Sequence, residues 1–161
     1  MLRRYVEALS DRLNRIAEWA LAALVTVTVV SVTAQVIFRY GVQSSLTWSE
    51  EVARYSFIWA IFLGTSVAAR RGQHIAVDAF AAALPQALQR WLRLANLLIC
   101  GGFFALFTYV SVLLVQNAFT QRSSSLEIPI AWVYASAVTG AVLTVLHLVN
   151  AALQPSTPER A

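Results

Sequence analysis

The run Trp48-Ser49-Glu50-Glu51-Val52-Ala53-Arg54-Tyr55 holds the densest group of ionisable side chains in the sequence. Read as helix, Glu50 and Arg54 lie four residues apart with the acid first, the better orientation for a side-chain pair. Glu51 and Arg54 lie three apart and also share a face. Thr47, three residues before Glu50, has capping-box spacing, and both acids fall at the positive end of the helix dipole. Arg39, where the preceding apolar run ends, is placed to reach the same acids. This pattern favours a structural ion-pair network of Arg39, Glu50, Glu51 and Arg54, with a docking or coupling site on the outer face as the alternative reading. It disfavours a cation site, because Arg54 repels a cation and already neutralises one acid.

The remaining candidates are weaker. His74 has no Cys, His or acid at metal-ligand spacing and reads as a turn or interface hydrogen bonder. His147, with Asn150 one turn on, reads as a helix-packing or headgroup contact. Both histidines fall toward the same side, which argues against a bis-histidine haem site. Cys100 is the single cysteine and reads as a packing residue. The sequence shows no Gly-rich phosphate loop, no nucleophile beside a base and no metal cluster. We therefore expect no enzyme, no cofactor and no metal.

The elements that position these residues are four apolar stretches separated by nearly all of the charge. Of the 161 residues, 58% are hydrophobic, too many for a soluble domain with a polar surface. A span needs about 20 apolar residues to cross ~30 Å of hydrocarbon. The expectation is an all-α integral membrane protein, residues 1–161 forming one domain with transmembrane helices at 17–38, 49–69, 92–117 and 129–152. Residues 1–16 read as an interfacial amphipathic helix, with Leu2, Val6, Leu9, Leu13 and Ile16 at three- and four-residue spacing. Pro85 suits the first turn of a helix that runs unbroken to about Ala118, giving helix three an extended cytoplasmic start. Arg70-Arg71-Gly72 suits a helix C-terminus, and 154–161 reads as a flexible tail. Val32-Thr33-Ala34 would pass as a signal cleavage site, but the apolar run continues to Phe38, so span one is expected to be retained. Ser136-xxx-Gly140-xxx-Thr144 and Gly101-xxx-Ala105 fit close helix approach.

All twelve basic residues are Arg. Most precede span one or lie between spans two and three, and only Arg39 and Arg122 fall in the other two loops. Positive charge is retained in the cytoplasm, so both termini are expected there. The net charge of +4 is thus a topology signal with some contribution from membrane lipid, and nucleic acid is not an expected partner. No acid, lysine or interrupted helix falls near a membrane midplane, where secondary transporters hold substrate and ions. Such a chain reads as a subunit that needs a partner. The alternative is a self-sufficient small four-helix exporter acting as a homo-oligomer.

Several segments together resemble a known family: Gln35-Val36-Ile37-Phe38-Arg39-Tyr40, Leu46-Thr47-Trp48-Ser49-Glu50-Glu51-Val52-Ala53-Arg54-Tyr55, Phe62-Leu63-Gly64 and Arg70-Arg71-Gly72-Gln73-His74-Ile75-Ala76-Val77-Asp78. They look like the small membrane subunit (DctQ type) of tripartite ATP-independent periplasmic (TRAP) transporters. The resemblance implies a bacterial inner-membrane protein with two partners, a large multi-span permease subunit and a periplasmic substrate-binding protein. It implies sodium-coupled uptake of organic acid anions, with this chain scaffolding the large subunit and helping the binding protein dock. On that view Trp48, Tyr55, Trp59, Arg122 and Glu127 are candidate partner contacts. Substrate choice would lie mainly in the other two components.

Overall fold

In a computed structural model, which describes residues 2–44, 46–71 and 85–153, the chain is all-helical. Four helices follow in order: α1 (Leu2–Gly41), α2 (Thr47–Arg70), α3 (Gln86–Ala118) and α4 (Ala131–Leu153). Each contains a segment long and apolar enough to cross a membrane. A helix satisfies its backbone polar groups internally, which hydrocarbon demands. Side-chain hydroxyls inside the spans follow the same rule. Thr26, Thr65, Thr108, Thr139 and Thr144 each donate to the carbonyl four residues back.

Residues 2–16 run without a break into the first span. They are the first turns of α1, whose 40 residues extend about 60 Å at 1.5 Å per residue. Leu9 and Ile16 of the stripe read as amphipathic are exposed, and it is Ser10 and Ala17 beside it that are buried against the rest of the chain. Helix α3 is unbroken from Gln86, with Pro85 at its N-cap rather than inside the first turn. Helix α2 opens on Leu46 with no side-chain cap, so the Thr47–Glu50 capping box does not form. Ser49 Oγ instead donates to the Leu46 carbonyl at 2.7 Å. Gly72, His74, the segment to Leu84 and the tail 154–161 lie outside the described residues, so the expectations for them, including the Gly72–Asp78 part of the resemblance, have no structural counterpart here.

The helices pack in the order α1, α2, α4, α3, and α1 also touches α4. Among the described residues α1 and α3 do not approach each other. Helices α2 and α4 therefore form a central seam, with α1 and α3 as flanks rich in exposed apolar side chains such as Val29, Ile37, Leu98 and Phe103. The two helices approach closely at Gly140. A Cβ there would lie 2.6 Å from the Phe62 carbonyl oxygen and 2.8 Å from the Phe62 Cβ. Ser136 and Thr144, one turn to either side, are fully buried. The Ser136/Gly140/Thr144 stripe is thus used up within the chain, whereas a Cβ on Gly101 would meet nothing within 4 Å. Ala17, Leu63 and Val67 form the core between α1 and α2, with Trp59 and Leu143 packed on it. A cleft of about 150 Å³ opens between α2, α3 and α4, and its lining, which includes Ala68, Cys100, Phe104 and Leu148, carries no charged side chain.

Candidate functional site: a carboxylate clamp at the loop end

Antiparallel helices gather the α1–α2 and α3–α4 connections at one end of the molecule, and the start of α1 and the end of α4 at the other. The two connections at the loop end are built differently. The first, after Gly41, is held mainly by backbone bonds: Val42 N and Ser44 N donate to the Phe38 carbonyl at 3.2 and 3.1 Å, and Ser49 Oγ to the Leu46 carbonyl at its far end. Gln43 turns the chain there with φ of 54°.

The second connection is a braced hairpin. Arg122 and Pro129 pair as an antiparallel bridge. Ser123 N donates to the Ile128 carbonyl and Ile130 N to the Gln121 carbonyl, both at 2.9 Å. Arg122 Nη1 donates to the Glu127 carbonyl at 2.9 Å, across the base of the tip. Glu127 itself has φ of 53°, in the left-handed region that non-glycine residues avoid. The tip, Ser124-Ser125-Leu126, closes onto Glu51 of α2.

Glu51 is the centre of the site. Its Oε1 accepts from Ser124 Oγ and Ser125 N, both at 3.0 Å, and its Oε2 accepts from Leu126 N at 3.0 Å. The side chain is 3% exposed. A buried carboxylate must be compensated, and successive backbone N–H groups in a turn form an anion-binding concavity suited to it. Here the concavity is on the loop and the anion is on the helix.

This differs from the ion-pair network expected from the sequence. Glu51 meets the hairpin tip and forms no ion pair with Arg54 or Arg39. Glu50 and Arg54 do lie as an i,i+4 pair, but at 3.9 Å with side chains 67% and 52% exposed. Arg54 also lies over the Tyr55 ring at 5.6 Å, and Arg39, across the end of α1, over the Tyr40 ring at 6.0 Å. The reason is geometric. Both acids are within helical reach of Arg54, but adjacent residues project about 100° apart; Glu51 falls on the buried side where the hairpin donors converge, and Glu50 is left with the outward Arg54. The candidate contacts are dispersed as well. Trp48 stands exposed on the first turn of α2, and Tyr55, two turns on along the same face, is half-buried. Trp59 packs on the core, and Arg122 is engaged within the hairpin. The Glu127 side chain is exposed at the tip.

Residue types and spacing do not single out the hairpin donors Ser124, Ser125 and Leu126. The one signal for them is three consecutive serines, Ser123-Ser124-Ser125, in a loop that must lie at the same end as a surplus acid.

A second polar cluster, at the terminal end, is equally hidden from sequence patterning. Ser10 Oγ and His147 Nδ1 share a hydrogen bond of 2.8 Å between α1 and α4. Arg70 pairs with Asp11, and Arg71 pairs with Glu18 at 2.9 Å, tying α2 to α1. Asn14 Nδ2 donates to the same Glu18 carboxylate at 3.0 Å. No group of three or more His, Cys, Asp or Glu able to hold a metal occurs among the described residues.

Comparison with known proteins agrees with this architecture. Residues 28–157 match the family model of the DctQ component of tripartite ATP-independent periplasmic transporters. A protein of Haemophilus influenzae (strain ATCC 51907 / DSM 11121 / KW20 / Rd) described as a TRAP transporter small permease protein is 26% identical over 148 residues, 90% of each chain. The sialic acid TRAP transporter permease protein SiaT of Haemophilus influenzae (strain 86-028NP) is 24% identical over 139 residues. That covers 86% of this chain but 23% of SiaT. The isethionate TRAP transporter permease protein DctMQ of Oleidesulfovibrio alaskensis is 28% identical over 106 residues, 61% of this chain and 17% of DctMQ. Two of these relatives thus carry the counterpart of this chain as a minor part of a longer permease. A family match over most of the chain, joined to four apolar helices, makes this a multi-pass membrane protein that belongs to the DctQ component family, the small permease subunits of TRAP transporters.

Proposed function

We propose that this chain is the accessory membrane subunit of a three-part importer. It scaffolds a large multi-span permease and helps a periplasmic substrate-binding protein dock for sodium-coupled uptake of an organic acid anion. The observation that carries this reading is the unequal use of the helix surfaces. The α2–α4 seam is shut by Gly140 against Phe62, and the cleft beside it is lined without charge. This leaves no polar path for an anion through the chain's described residues. Meanwhile the flanking α1 and α3 expose long apolar faces, suited to lipid on one side and a large hydrophobic partner on another. The permeases SiaT and DctMQ, in which the matching stretch is under a quarter of the length, support a large partner of the same kind. The substrates in their names, sialic acid and isethionate, are both organic anions, which supports that substrate class.

The orientation we propose places both termini in the cytoplasm of a bacterial inner membrane. Arg12, Arg15, Arg70 and Arg71 lie at the terminal end, where retained positive charge belongs. The clamped hairpin and the exposed Trp48, Glu50 and Arg54 then face the periplasm. Nothing in the site assigns a catalytic role.

The test is a mild-detergent pull-down of the tagged chain from native membranes, with mass spectrometry of what accompanies it. A large multi-span permease in near-equal amount is the expected result. Recovery of the chain with only itself would overturn this reading and put the homo-oligomeric exporter in its place.

A further inference from the structure

We infer that Glu51 is a positioning residue: from inside the membrane helix it sets the shape of the hairpin on which the soluble component of the transporter docks. This rests on the function proposed above and assigns Glu51 a role that no feature of the sequence gives it.

The two loop-end connections carry the inference. Both do the same topological work, reversing the chain between antiparallel helices. The first does so with backbone bonds to Phe38 and one neutral side-chain contact, Ser49 Oγ to the Leu46 carbonyl, and among the described residues it has no charged anchor. A connection therefore requires no buried charge. The second nevertheless commits a carboxylate that is 3% exposed, both of its oxygens, two backbone N–H groups and a serine hydroxyl to fixing three residues. Arg122 is committed to the same hairpin through the Glu127 carbonyl. That leaves it a brace rather than a free contact. The outcome is a tip whose backbone is fixed while the side chains of Ser125 and Glu127 stand exposed. Glu127 is also held in a left-handed conformation, which directs the chain back toward α4. At the same end, Trp48, Glu50 and Arg54 stand exposed on the first turns of α2. A fixed, mixed-charge projection of this kind fits a soluble protein with a polar surface. Preorganisation lowers the ordering cost of association. An apolar helix partner within the bilayer would instead meet these exposed charges unfavourably.

The experiment uses the full complex with its large subunit, reconstituted in lipid nanodiscs, and the periplasmic binding protein encoded with it. Wild type is compared with Glu51→Ala and Glu51→Gln. In Glu51→Ala, co-purification of the large subunit is expected to be unchanged, while the Ser125 and Leu126 amides exchange with solvent about tenfold or more faster. The concentration of binding protein needed for half-maximal uptake should rise about tenfold, with the rate at saturating binding protein preserved. Glu51→Gln should fall between, because its amide oxygen still accepts while its NH2 group opposes an N–H donor. Faster exchange with unchanged docking overturns the inference, as does unchanged exchange. Should Glu51→Ala fail to assemble, the decisive variant is Ser125→Cys on a Cys100→Ala background, carrying a polyethylene glycol maleimide on an intact clamp. Its loss of docking upholds the inference, and undiminished docking overturns it. If the wild-type complex itself captures no binding protein, the functional reading falls, and this inference with it. That outcome is separable because it appears without any substitution.

Discussion

The two ends of the molecule handle buried polarity in opposite ways. At the loop end one carboxylate is satisfied mainly by backbone N–H groups of a single hairpin. At the terminal end, side chains of three helices meet one another: Ser10 with His147, Asp11 with Arg70, and Glu18 with Arg71. Backbone donors are fixed by the chain, so the first arrangement dictates one loop shape. Long side chains keep rotamer freedom, so the second arrangement ties helices together without fixing a surface. It is also less complete. Asn14 Oδ1, His147 Nε2 and Asn150 Nδ2 are buried there without a hydrogen-bond partner, against Ser123 Oγ in the hairpin at the loop end. The loop end is thus suited to holding a defined shape, and the terminal end to cohesion between α1, α2 and α4.

Substitutions can break or sharpen that contrast. The largest effect is expected where the ends share one support, the α2–α4 seam. Gly140→Val should force the Phe62 backbone away and cost about 3 kcal/mol through overpacking. Both ends should loosen together, as read by amide exchange at Leu126 and His147 alongside denaturant unfolding in detergent. Loosening at one end alone would mean that the seam does not couple them.

Ser10→Ala comes next. It strands a buried His147 ring nitrogen and should cost about 1–2 kcal/mol. The double variant Ser10→Ala with His147→Leu should recover part of that loss, because both polar groups are then gone. Neither variant should change exchange at the hairpin tip, and a change there would erase the distinction between the ends.

Glu127→Gly is smaller and of opposite sign. It relieves about 1 kcal/mol of left-handed conformational cost, offset in part by added freedom in the unfolded chain. The net gain should be about 0.5 kcal/mol, with the bonds to Glu51 unchanged in exchange measurements. A slack tip in this variant would show that residue 127 rather than Glu51 holds the shape. Smallest of all is Arg54→Ala. The Glu50 pair is long and exposed, so stability should fall by at most about 0.3 kcal/mol and the effect should vanish in high salt. A larger loss would return the ion-pair network to the centre of the site.

Much of the frame is legible in the residues alone. Apolar runs of span length predict four helices, and the expected limits fall close to Thr47–Arg70 and Ala131–Leu153. The Ser136/Gly140/Thr144 spacing marks a close approach that does occur at Phe62. The similar-looking Gly101/Ala105 spacing marks none within the chain, because small residues permit approach without supplying a partner. The site is legible only in part. Periodicity names Glu50 and Glu51 together, but pairing rules within one helix see only neighbours three or four residues away. Ser124 lies 73 residues from Glu51, and His147 lies 137 from Ser10.

The sequence by itself therefore determined the helices, their number, the membrane environment and, through its family resemblance, the class of assembly. These follow from local composition and spacing, since each helix satisfies its own backbone. Only the tertiary structure decided which acid is buried, which arginine is a brace, and which helices share the central seam. Those outcomes depend on which surfaces from distant parts of the chain can fit together, and on the rule that a buried charge stays only where donors converge on it.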